Sequence, residues 1–550
     1  MNKKVLIVGG VAGGASAAAR LRRLDENVEI IMFERDDYIS FANCGLPYYI
    51  GETIQERSRL LVQTPEAMKE RFNIDVRIRS EVVAVNGEKK TVTVRNQEQG
   101  IYEESFDELI LSPGAKPIKP PIPGIDSNII FTLRNIPDTD RIKSYIDQHE
   151  IKKAIIIGGG FIGIEMAENM IHRGIDVTVI EAAPHILAPF DSDMVTYAEK
   201  ELQDQGARLA LGDGVESFQE DGKGIAVRLQ SGNEFYADMV ILAIGVQPDT
   251  VFLRDSGIQL GSRGHIIVNE KMQTNLPGIY AVGDAVEITH FIHGQKAAIP
   301  LAGPANKQGR IAADNIGGVE SVYKGTQGTS IIKIFGLTGA ATGLNERALQ
   351  QSNQSYRVVH VHPASHATYY PGATPIALKL IFNDERRILG AQAFGQDGVD
   401  KRMDVIATVI RLNGTIDDLA ELELSYAPPF SSAKDPVNMA GYVAQNILSH
   451  KVDVFLPKDL QNWDKEKIQL IDVRTENEHS KGAIPSSVNI PVDQLRDRLN
   501  EIDTSKETWV YCQVGLRGYT ASRILTQRGY RVKNLTGGYK SYSMELFKAE

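Results

Sequence analysis

The chain carries two cysteines in 550 residues, and each lies in a segment whose residue types suit thiol chemistry. Cys44 lies in the run SFANCGLP, residues 40–47, ten residues after Glu34. Cys512 opens the hexapeptide CQVGLR, which ends in Arg517. Since the thiolate is the reactive form of cysteine, both are predicted nucleophiles. Two cysteines cannot form a disulfide framework, which favours a reducing cytoplasm.

A glycine-rich turn, GGVAGG at residues 9–14, separates a short apolar run from a stretch of good helix formers. Residues 4–8 predict a buried strand, 15–24 a helix and 28–33 a second strand that closes at Glu34. This order of strand, turn, helix and strand is typical of a dinucleotide-binding unit. Val11 stands where the strict glycine pattern has its middle glycine.

The same order recurs later in the chain and is the one internal repeat that the sequence shows. Its strand, turn, helix and strand are predicted at residues 153–157, 158–163, 164–173 and 176–180. Here the turn GGGFIG fits the pattern G-x-G-x-x-G at Gly158, Gly160 and Gly163. Two units in tandem imply two nucleotide cofactors.

An acidic residue closes each unit, and the second, Glu181, stands 18 residues beyond Gly163. A carboxylate at this place accepts hydrogen bonds from the diol of a ribose and repels a 2′-phosphate. The sequence therefore favours NADH over NADPH, and a nearby Lys or Arg would relax that preference.

The overall balance of charge and hydropathy excludes several classes of protein. The net charge of −10 argues against a general binder of nucleic acid or of a membrane surface. No uninterrupted apolar run reaches the roughly 18–20 residues that a membrane span needs. No metal site is predicted.

The composition changes along the chain predict a mixed α/β protein of four domains. A Pro-rich crossover, KPIKPPIPG, occupies residues 116–124. We expect a first dinucleotide-binding domain in two parts at 1–117 and 251–325, a second at 118–250, an α+β domain that forms a dimer interface at 326–447 and a small parallel α/β domain at 456–550.

Two further segments complete a family pattern. The strand at 106–111 is followed by SPGA, and GIYAVGDA at 278–285 places Asp284 where a flavin ribityl chain or a helix N-cap would need it. With these segments, residues 1 to about 447 resemble the pyridine nucleotide–disulfide oxidoreductases. Members that carry an internal redox disulfide have a second cysteine at the position of Tyr49. The chain therefore resembles the single-cysteine branch, and the SFANCG run is most similar to coenzyme A-disulfide reductases.

The resemblance implies FAD, NADH or NADPH, and coenzyme A as substrate or bound adduct, in a homodimer. Cofactor-binding residues are expected at Gly9, Val11, Ala12, Gly13, Gly14, Glu34, Arg35, Ser112, Gly114, Asp284, Ala302, Gly158, Gly160, Ile162, Gly163, Glu181 and Gly245. Residues that bind coenzyme A are expected at Ser16, Arg20, Arg23, Ser40, Asn43, Arg71 and Lys434.

Tyrosines presented by the partner subunit are a further family feature. Tyr426 matches one of them, and the other is Tyr369 or Tyr370, of which we favour Tyr369. Cys44 needs a depressed pKa, and we expect a helix that begins near Gly45 and a neighbouring flavin to supply it.

Residues 456–550 resemble a rhodanese, with IDVR at 471–474, GAIP at 482–485 and GGY at 537–539. The loop from Cys512 to Arg517 would let backbone amides converge on a Cys512 persulfide. The six-residue length favours sulfur transfer, since phosphatase relatives have longer loops.

The expected activity is reduction of coenzyme A disulfide, coenzyme A persulfide or polysulfide through a Cys44–S–S–CoA mixed disulfide. An NADH oxidase or peroxidase acting through a Cys44 sulfenic acid is the enzymatic alternative. The histidine that assists oxygen chemistry in those relatives is replaced by Val11 or Ala12. A redox-sensing interaction protein, with the rhodanese-like domain as a binding module, is the alternative from another class.

Overall fold

The computed structural model describes residues 3–547, which form two compact units. The first unit comprises the chain up to Pro184 together with Gly206–Gly328. The second comprises His185–Gln205 and the chain from Thr329 onward. Helices and sheets alternate in both units, and the predicted α/β class is confirmed.

The first unit contains a five-stranded parallel sheet built around the strand before the first glycine turn. Its strands, in spatial order, are Ile279–Ala281, Glu108–Leu111, Lys4–Val8, Glu29–Phe33 and Asp75–Arg77. The central strands are apolar and buried on both faces, as a parallel sheet covered by helices requires. The helices Ala12–Leu24 and Ala302–Ile316 pack against each other beside it.

A second parallel sheet in the same unit repeats this plan around the second glycine turn. Its strands, in spatial order, are Arg208–Leu211, Asp176–Glu181, Lys153–Ile157, Met239–Leu242 and Ile130–Phe131. The helix that follows its glycine turn is Phe161–His172. In both sheets the turn leaves the carboxyl end of a central strand, where parallel sheets bind their ligands.

Smaller elements complete the first unit. Two three-stranded antiparallel sheets are formed by Ser80–Asn86, Thr91–Asn96 and Gly100–Ser105, and by Val215–Glu220, Ile225–Leu229 and Glu234–Ala237. The short strand Ala115–Pro117, which leads into the Pro-rich crossover, pairs with Val246–Pro248. The remaining helices are Leu46–Ile50, Pro65–Phe72 and Ile136–Gln148.

The second unit contains an antiparallel sheet and a parallel one. The antiparallel strands, in spatial order, are Ser330–Ile334, Leu337–Gly343, Ile388–Gly395, Ala377–Phe382 and Arg357–Val361. The parallel strands are Asp453–Phe455, Val532–Leu535, Glu507–Tyr511, Ile468–Asp472 and Val488–Asn489. The helices are Ser192–Asp204, Glu346–Gln351, Val399–Arg411, Ile416–Glu421, Pro436–Leu448, Glu476–Ser480, Leu516–Thr526 and Gly538–Glu545.

Two helices begin three residues earlier than the sequence predicts. Their observed first residues are Ala12 and Phe161, where starts at residues 15 and 164 were predicted. Each lies within a glycine-containing loop after a parallel strand, and low helix propensity there suggested a turn. The loops are in fact the first turns of the helices, because a ligand-binding loop of this kind presents helix N-terminal amides.

A buried lysine joins the segments of the second unit. Lys379 is fully buried, and its ammonium lies 2.6–3.0 Å from carboxylate oxygens of Asp191, Asp193 and Glu346. His360 Nε2 lies 2.6 Å from Asp193, and the His360 N–H donates to Thr536 Oγ1 at 2.8 Å. The three carboxylates are close enough together to hold a cation, and that cation is the lysine.

Among the described residues, no helix combines the length and apolar character that crossing a bilayer demands.

Replacing Lys379 by methionine should strongly destabilise the protein. The change removes the ammonium and leaves buried carboxylates without a counter-charge, a loss of about 3–5 kcal/mol. Denaturant unfolding of the second unit measures it. Lys458→Met is the matched control, because Lys458 also pairs with Glu346 but is 49% exposed; its cost should stay below about 1 kcal/mol. Equal costs for the two variants would contradict the interpretation.

Candidate active site

The first glycine turn binds its closing glutamate through the backbone. Gly10 N–H donates to Glu34 Oε2 at 3.0 Å, and Asp36 N–H lies 3.2 Å from Glu34 Oε1. Gly9 has a φ of +95°, and a Cβ there would collide with the Ser112 carbonyl oxygen. The turn therefore requires glycine at this position. Burial raises the pKa of Glu34, and the two N–H donors partly offset it.

The second turn repeats this arrangement. Gly159 N–H donates to Glu181 Oε2 and Ala183 N–H to Glu181 Oε1, both at 2.7 Å. Gly158 has a φ of +105°, and a Cβ there would meet the Ala243 carbonyl. The predicted repeat is thus also a repeat in hydrogen bonding, since each carboxylate is held by the amide of its own glycine loop.

The helix that follows each turn has a free N-terminus. In the described part of the chain, no side-chain cap is found at Val11, before Ala12–Leu24, or at Gly160, before Phe161–His172. By contrast, Thr64 and Asn135 cap the helices that follow them. Uncapped amides carry partial positive charge and bind phosphate groups. The residues of both loops therefore fit a dinucleotide.

The other predicted cofactor residues lie in the same unit. Ser112 N–H donates to Val8 O at 2.8 Å, and Gly114 and Gly245 adopt φ values of +68° and +123°. Arg35 binds Asp249 at 2.6 Å. Gly13, Gly14 and Gly163 lie within the helices Ala12–Leu24 and Phe161–His172, Ile162 is exposed at the start of the second of these, and Ala302 is the first residue of Ala302–Ile316.

Cys44 lies in a short 3₁₀ turn, Asn43–Gly45, which continues into the helix Leu46–Ile50. The segment is attached to the first glycine loop, because Ser40 N–H donates to Gly10 O at 2.8 Å. Ser40 has a φ of +44°, a left-handed conformation that is uncommon for a residue with a Cβ. The thiol is free and lies in an open position.

The protein groups alone do not lower the pKa of Cys44, and the predicted depression by a bound flavin stays a prediction. Surrounding protein atoms displace part of the water around the thiol, and this desolvation raises its pKa. The charges of Glu165 and Asp284 raise the pKa further, whereas Arg134 lowers it. The helix predicted near Gly45 is present as the single turn Leu46–Ile50.

Sequence reasoning missed three residues near Cys44. Burial raises the pKa of Glu165 to about 7, and the Tyr48 hydroxyl donates to Glu165 Oε1 at 3.5 Å. Burial and the neighbouring Glu165 raise the pKa of Tyr48 to about 12. A signal was present, because Glu165 follows Gly163 by two residues inside an otherwise apolar helix segment.

Arg134 is the third missed residue. Its Nε donates to Ala115 O at 2.9 Å, and its guanidinium binds Asp284 Oδ2 at 3.2 Å. Asp284 therefore forms an ion pair and does not cap the 3₁₀ turn Gly283–Ala285 with its side chain. No spacing in the sequence connects residue 134 with residue 284.

The predicted coenzyme A residues of the first unit differ in whether protein groups already bind their side chains. Asn43 Oδ1 is buried without a hydrogen-bond partner among the described residues, which fits a ligand contact. Ser16 Oγ donates to Asn306 Oδ1 at 2.5 Å. Arg20 forms an ion pair with Asp314 at 2.6 Å, and Arg23 binds the Ala19 carbonyl of its own helix at 2.8 Å. Arg71 is exposed.

The remaining predicted residues of this group lie in the second unit. The hydroxyls of Tyr369 and Tyr426 are 2.7 Å apart, and the two residues are 74% and 48% exposed. Tyr370 packs edge-on against His366. This arrangement supports the preference for Tyr369 over Tyr370. Lys434 is exposed.

The Cys512 loop lies between the strand Glu507–Tyr511 and the helix Leu516–Thr526. Cys512 is buried, and Gly515 N–H donates to its sulfur at 3.1 Å. From the helix Gly538–Glu545, Tyr539 N–H donates to Cys512 O at 2.7 Å. Arg517 forms two hydrogen bonds with Glu478, at 2.6 and 2.7 Å. One backbone amide of the loop, Gly515 N–H, therefore contacts the sulfur, as a site for a sulfur anion requires.

Comparison with known proteins agrees with this geometry. Residues 3–309 match the family model of the pyridine nucleotide-disulphide oxidoreductases, 329–436 match its dimerisation domain and 456–545 match a rhodanese-like domain. A coenzyme A disulfide reductase of Staphylococcus haemolyticus is 40% identical over 81% of this chain and all of its own length.

Two solved structures extend the likeness over the whole chain. The reduced CoADR-RHD of Bacillus anthracis superposes with a TM-score of 0.97 at 55% identity, covering 99% of this chain and 98% of its own. A NAD-dependent persulfide reductase from A. fulgidus has a TM-score of 0.92 at 35% identity, covering 99% and 100%. The chain belongs to the pyridine nucleotide-disulphide oxidoreductase family and carries a C-terminal rhodanese-like domain, as its sequence predicted.

Proposed function

We propose that this protein is an FAD-dependent NAD(P)H reductase of coenzyme A disulfide, coenzyme A persulfide or polysulfide. The observation that carries the proposal is one free thiol, Cys44, on a segment hydrogen-bonded to the first glycine loop. Tyr49 stands where a second thiol would form an internal disulfide. The sulfur partner of Cys44 therefore comes from the substrate. The names of the relatives agree with a reductase of sulfur compounds.

In the reaction, the Cys44 thiolate attacks a disulfide of coenzyme A, one coenzyme A thiolate leaves, and a Cys44–S–S–CoA mixed disulfide forms. Bound FAD would supply two electrons from NAD(P)H to this disulfide. With those electrons and one proton, the S–S bond breaks into the Cys44 thiolate and a second coenzyme A thiol. With a persulfide as substrate, the products are a thiol and sulfide.

The surrounding residues prepare this step. The Arg134 guanidinium favours the anion of Cys44, and the Asn43 side-chain oxygen is left for a ligand. Burial raises the pKa of Glu165 to about 7, so at neutral pH this carboxyl is partly protonated and supplies a proton near the thiol. Glu34 and Glu181, each held by its glycine loop, accept ribose hydroxyls, and the carboxylate of Glu181 favours NADH.

The two cysteines, Cys44 in the first unit and Cys512 in the second, have different roles in this proposal. Cys512 carries sulfur as a persulfide in the amide-lined loop, and a coenzyme A arm takes this sulfur to Cys44. The working form is a homodimer, supported by the match to a dimerisation domain and by the exposed side chains of Tyr369, Leu412 and Phe430. Two free thiols suit the cytoplasm.

The oxidase and sensor alternatives have less support. The first glycine loop has Val11 and Ala12 at the positions where a histidine would assist oxygen chemistry. The intact Cys512 and its amide-lined loop argue for a catalytic module over a binding module. The names of similar proteins, which include a coenzyme A disulfide reductase and a persulfide reductase, also favour sulfur reduction.

Cys44→Ser should lower NADH-dependent reduction of coenzyme A disulfide and coenzyme A persulfide by roughly a thousandfold or more, because the nucleophile is lost. Steady-state NADH oxidation measures this. Mass spectrometry of the unreduced wild-type protein should find a coenzyme A adduct on Cys44. Activity that survives in the serine variant would exclude the mechanism.

Cys512→Ser should leave the reduction of coenzyme A disulfide unchanged, since that route uses Cys44 alone. Turnover of persulfide and polysulfide should fall, because sulfur is no longer loaded on the carrier cysteine. The same NADH assay compares the substrates. If the variant turns over all of them at the wild-type rate, the two domains are not chemically coupled.

Glu165→Gln should shift the pH profile of Cys44 alkylation to lower pH by about half a unit or more. Glu165 ionises near pH 7, and above that pH its negative charge raises the pKa of the thiol. Iodoacetamide kinetics on the holoprotein, in a Cys512→Ser background, isolate Cys44. Glu56→Gln, which alters an exposed carboxylate paired with Arg59, is the control and should leave the profile in place.

A further inference from the structure

The charge at the entrance of the Cys512 loop is unusual for a site that would bind an inorganic oxyanion. Arg517, the last residue of the loop, is the cation that such an anion would meet. Its guanidinium forms a bidentate pair with the Glu478 carboxylate, and both side chains are about one third exposed, at 34% and 31%. The entrance is therefore electrically neutral at this pair.

Arg517 also lies close to the reactive sulfur. Its pKa is raised chiefly by the hydrogen bonds to Glu478 and, to a smaller extent, by interaction with Cys512. Arg517 is the second residue of the helix Leu516–Thr526, and Gly515 N–H, just before that helix, contacts the sulfur, so the Arg517–Glu478 pair lies at the loop that holds Cys512. A group that approaches Cys512 along Arg517 therefore also approaches the negative charge of Glu478.

Glu478 is held in place independently of Arg517. It is the third residue of the helix Glu476–Ser480, where its Oε2 accepts from Thr475 N–H at 3.0 Å and from Thr475 Oγ1 at 2.9 Å. This capping box fixes the carboxylate. The hydrogen bonds from Arg517 lower the pKa of Glu478 to about 2, so it is ionised throughout the physiological range.

The second arginine of this region offers no free charge either. Arg474 is buried, binds Asp472 at 2.7 Å and donates to Gln513 Oε1 in the loop at 3.2 Å. Its guanidinium lies over the Tyr539 ring, 4.1 Å from the centroid. Arg474 therefore supports the loop from within, and its charge is compensated by Asp472.

We propose that Glu478 determines which sulfur donors load Cys512: organic persulfides are accepted, and doubly charged oxyanion donors such as thiosulfate are disfavoured. This inference rests on the proposed role of Cys512 as a sulfur carrier. An organic persulfide presents at most one negative charge at its reacting end. Thiosulfate brings two, and because Glu478 neutralises the Arg517 guanidinium, no net positive charge at this pair attracts them.

The transfer is balanced without an oxidant. The Cys512 thiolate attacks the terminal sulfur of R–S–SH, the S–S bond of the donor breaks, and R–S⁻ leaves. The product is Cys512–S–SH, and the proton stays on the terminal sulfur. Gly515 N–H, which already contacts the cysteine sulfur, stabilises the persulfide when it ionises.

Glu478→Gln in the full chain tests the proposal, because glutamine at the third helix position keeps the capping box. The donors are thiosulfate and the persulfide of 2-mercaptoethanol, with sulfur transfer to cyanide as the readout. Removing the charge should raise kcat/KM for thiosulfate roughly tenfold and change that for the persulfide less than about threefold. Glu476→Gln, an exposed acid in the same helical turn, is the matched control and should change neither.

Ionic strength gives a second measurement. In the wild-type chain and in Glu476→Gln, added salt should raise kcat/KM for thiosulfate, because salt screens repulsion between the dianion and a chain of net charge −10. In Glu478→Gln, which has the same net charge as the control, this rise should shrink. A fall with salt in the wild-type chain, or the same donor ratio in both variants, would overturn the proposal.

The design separates failure of the inference from failure of the proposed function. If neither donor places sulfur on Cys512 in any variant, as judged by mass spectrometry against Cys512→Ser, the carrier role is wrong and the inference falls with it. If both donors load Cys512 but the donor ratio is unchanged in Glu478→Gln, the carrier role stands and the selectivity argument alone fails.

Discussion

The interaction on which this structure depends is the exposed amide at the start of a helix that follows a parallel strand. It occurs at Ala12–Leu24, Phe161–His172 and Leu516–Thr526, and none of the three helices has a side-chain cap within the described chain. Free amides at a helix N-terminus attract anions. In the proposed function, the chain uses this property for two dinucleotides and for one sulfur anion. A short loop containing glycine is what lets the backbone approach so closely.

Charges in this protein are compensated by ion pairs, some buried in the interior and others near the surface. Lys379 is fully buried among three carboxylates and joins the helix Ser192–Asp204 to the antiparallel sheet. Arg474 and Asp472 form a buried pair inside the rhodanese-like domain. Arg517 and Glu478 lie nearer the surface, where compensation no longer serves burial. At that place the pair controls what may approach the sulfur.

Much of the fold and part of the site could be predicted, because local signals carried them. The family follows from short-range spacing and was confirmed by family models. The same spacing predicted both glycine loops and their closing glutamates, and in the structure each glutamate accepts from an amide of its own loop. Helix starts were predicted three residues late, because the low helix propensity of glycine suggested a turn where the backbone is already helical. Arg134 and Glu165 were missed, because their effect on Cys44 depends on residues far apart in the chain.

The sequence by itself determined which groups are available for chemistry: two thiols, two glycine loops of the dinucleotide-binding type, and a tyrosine, Tyr49, where a partner cysteine would stand. These are properties of residue type and spacing, and they can be read without knowledge of the folded structure. The tertiary structure decided the electrostatics. It showed that desolvation raises the pKa of Cys44, that Arg20 is paired with Asp314, and that Arg517 shares its charge with Glu478. The reason is that a pKa or a net local charge depends on distances and burial between distant segments, and only folding sets these.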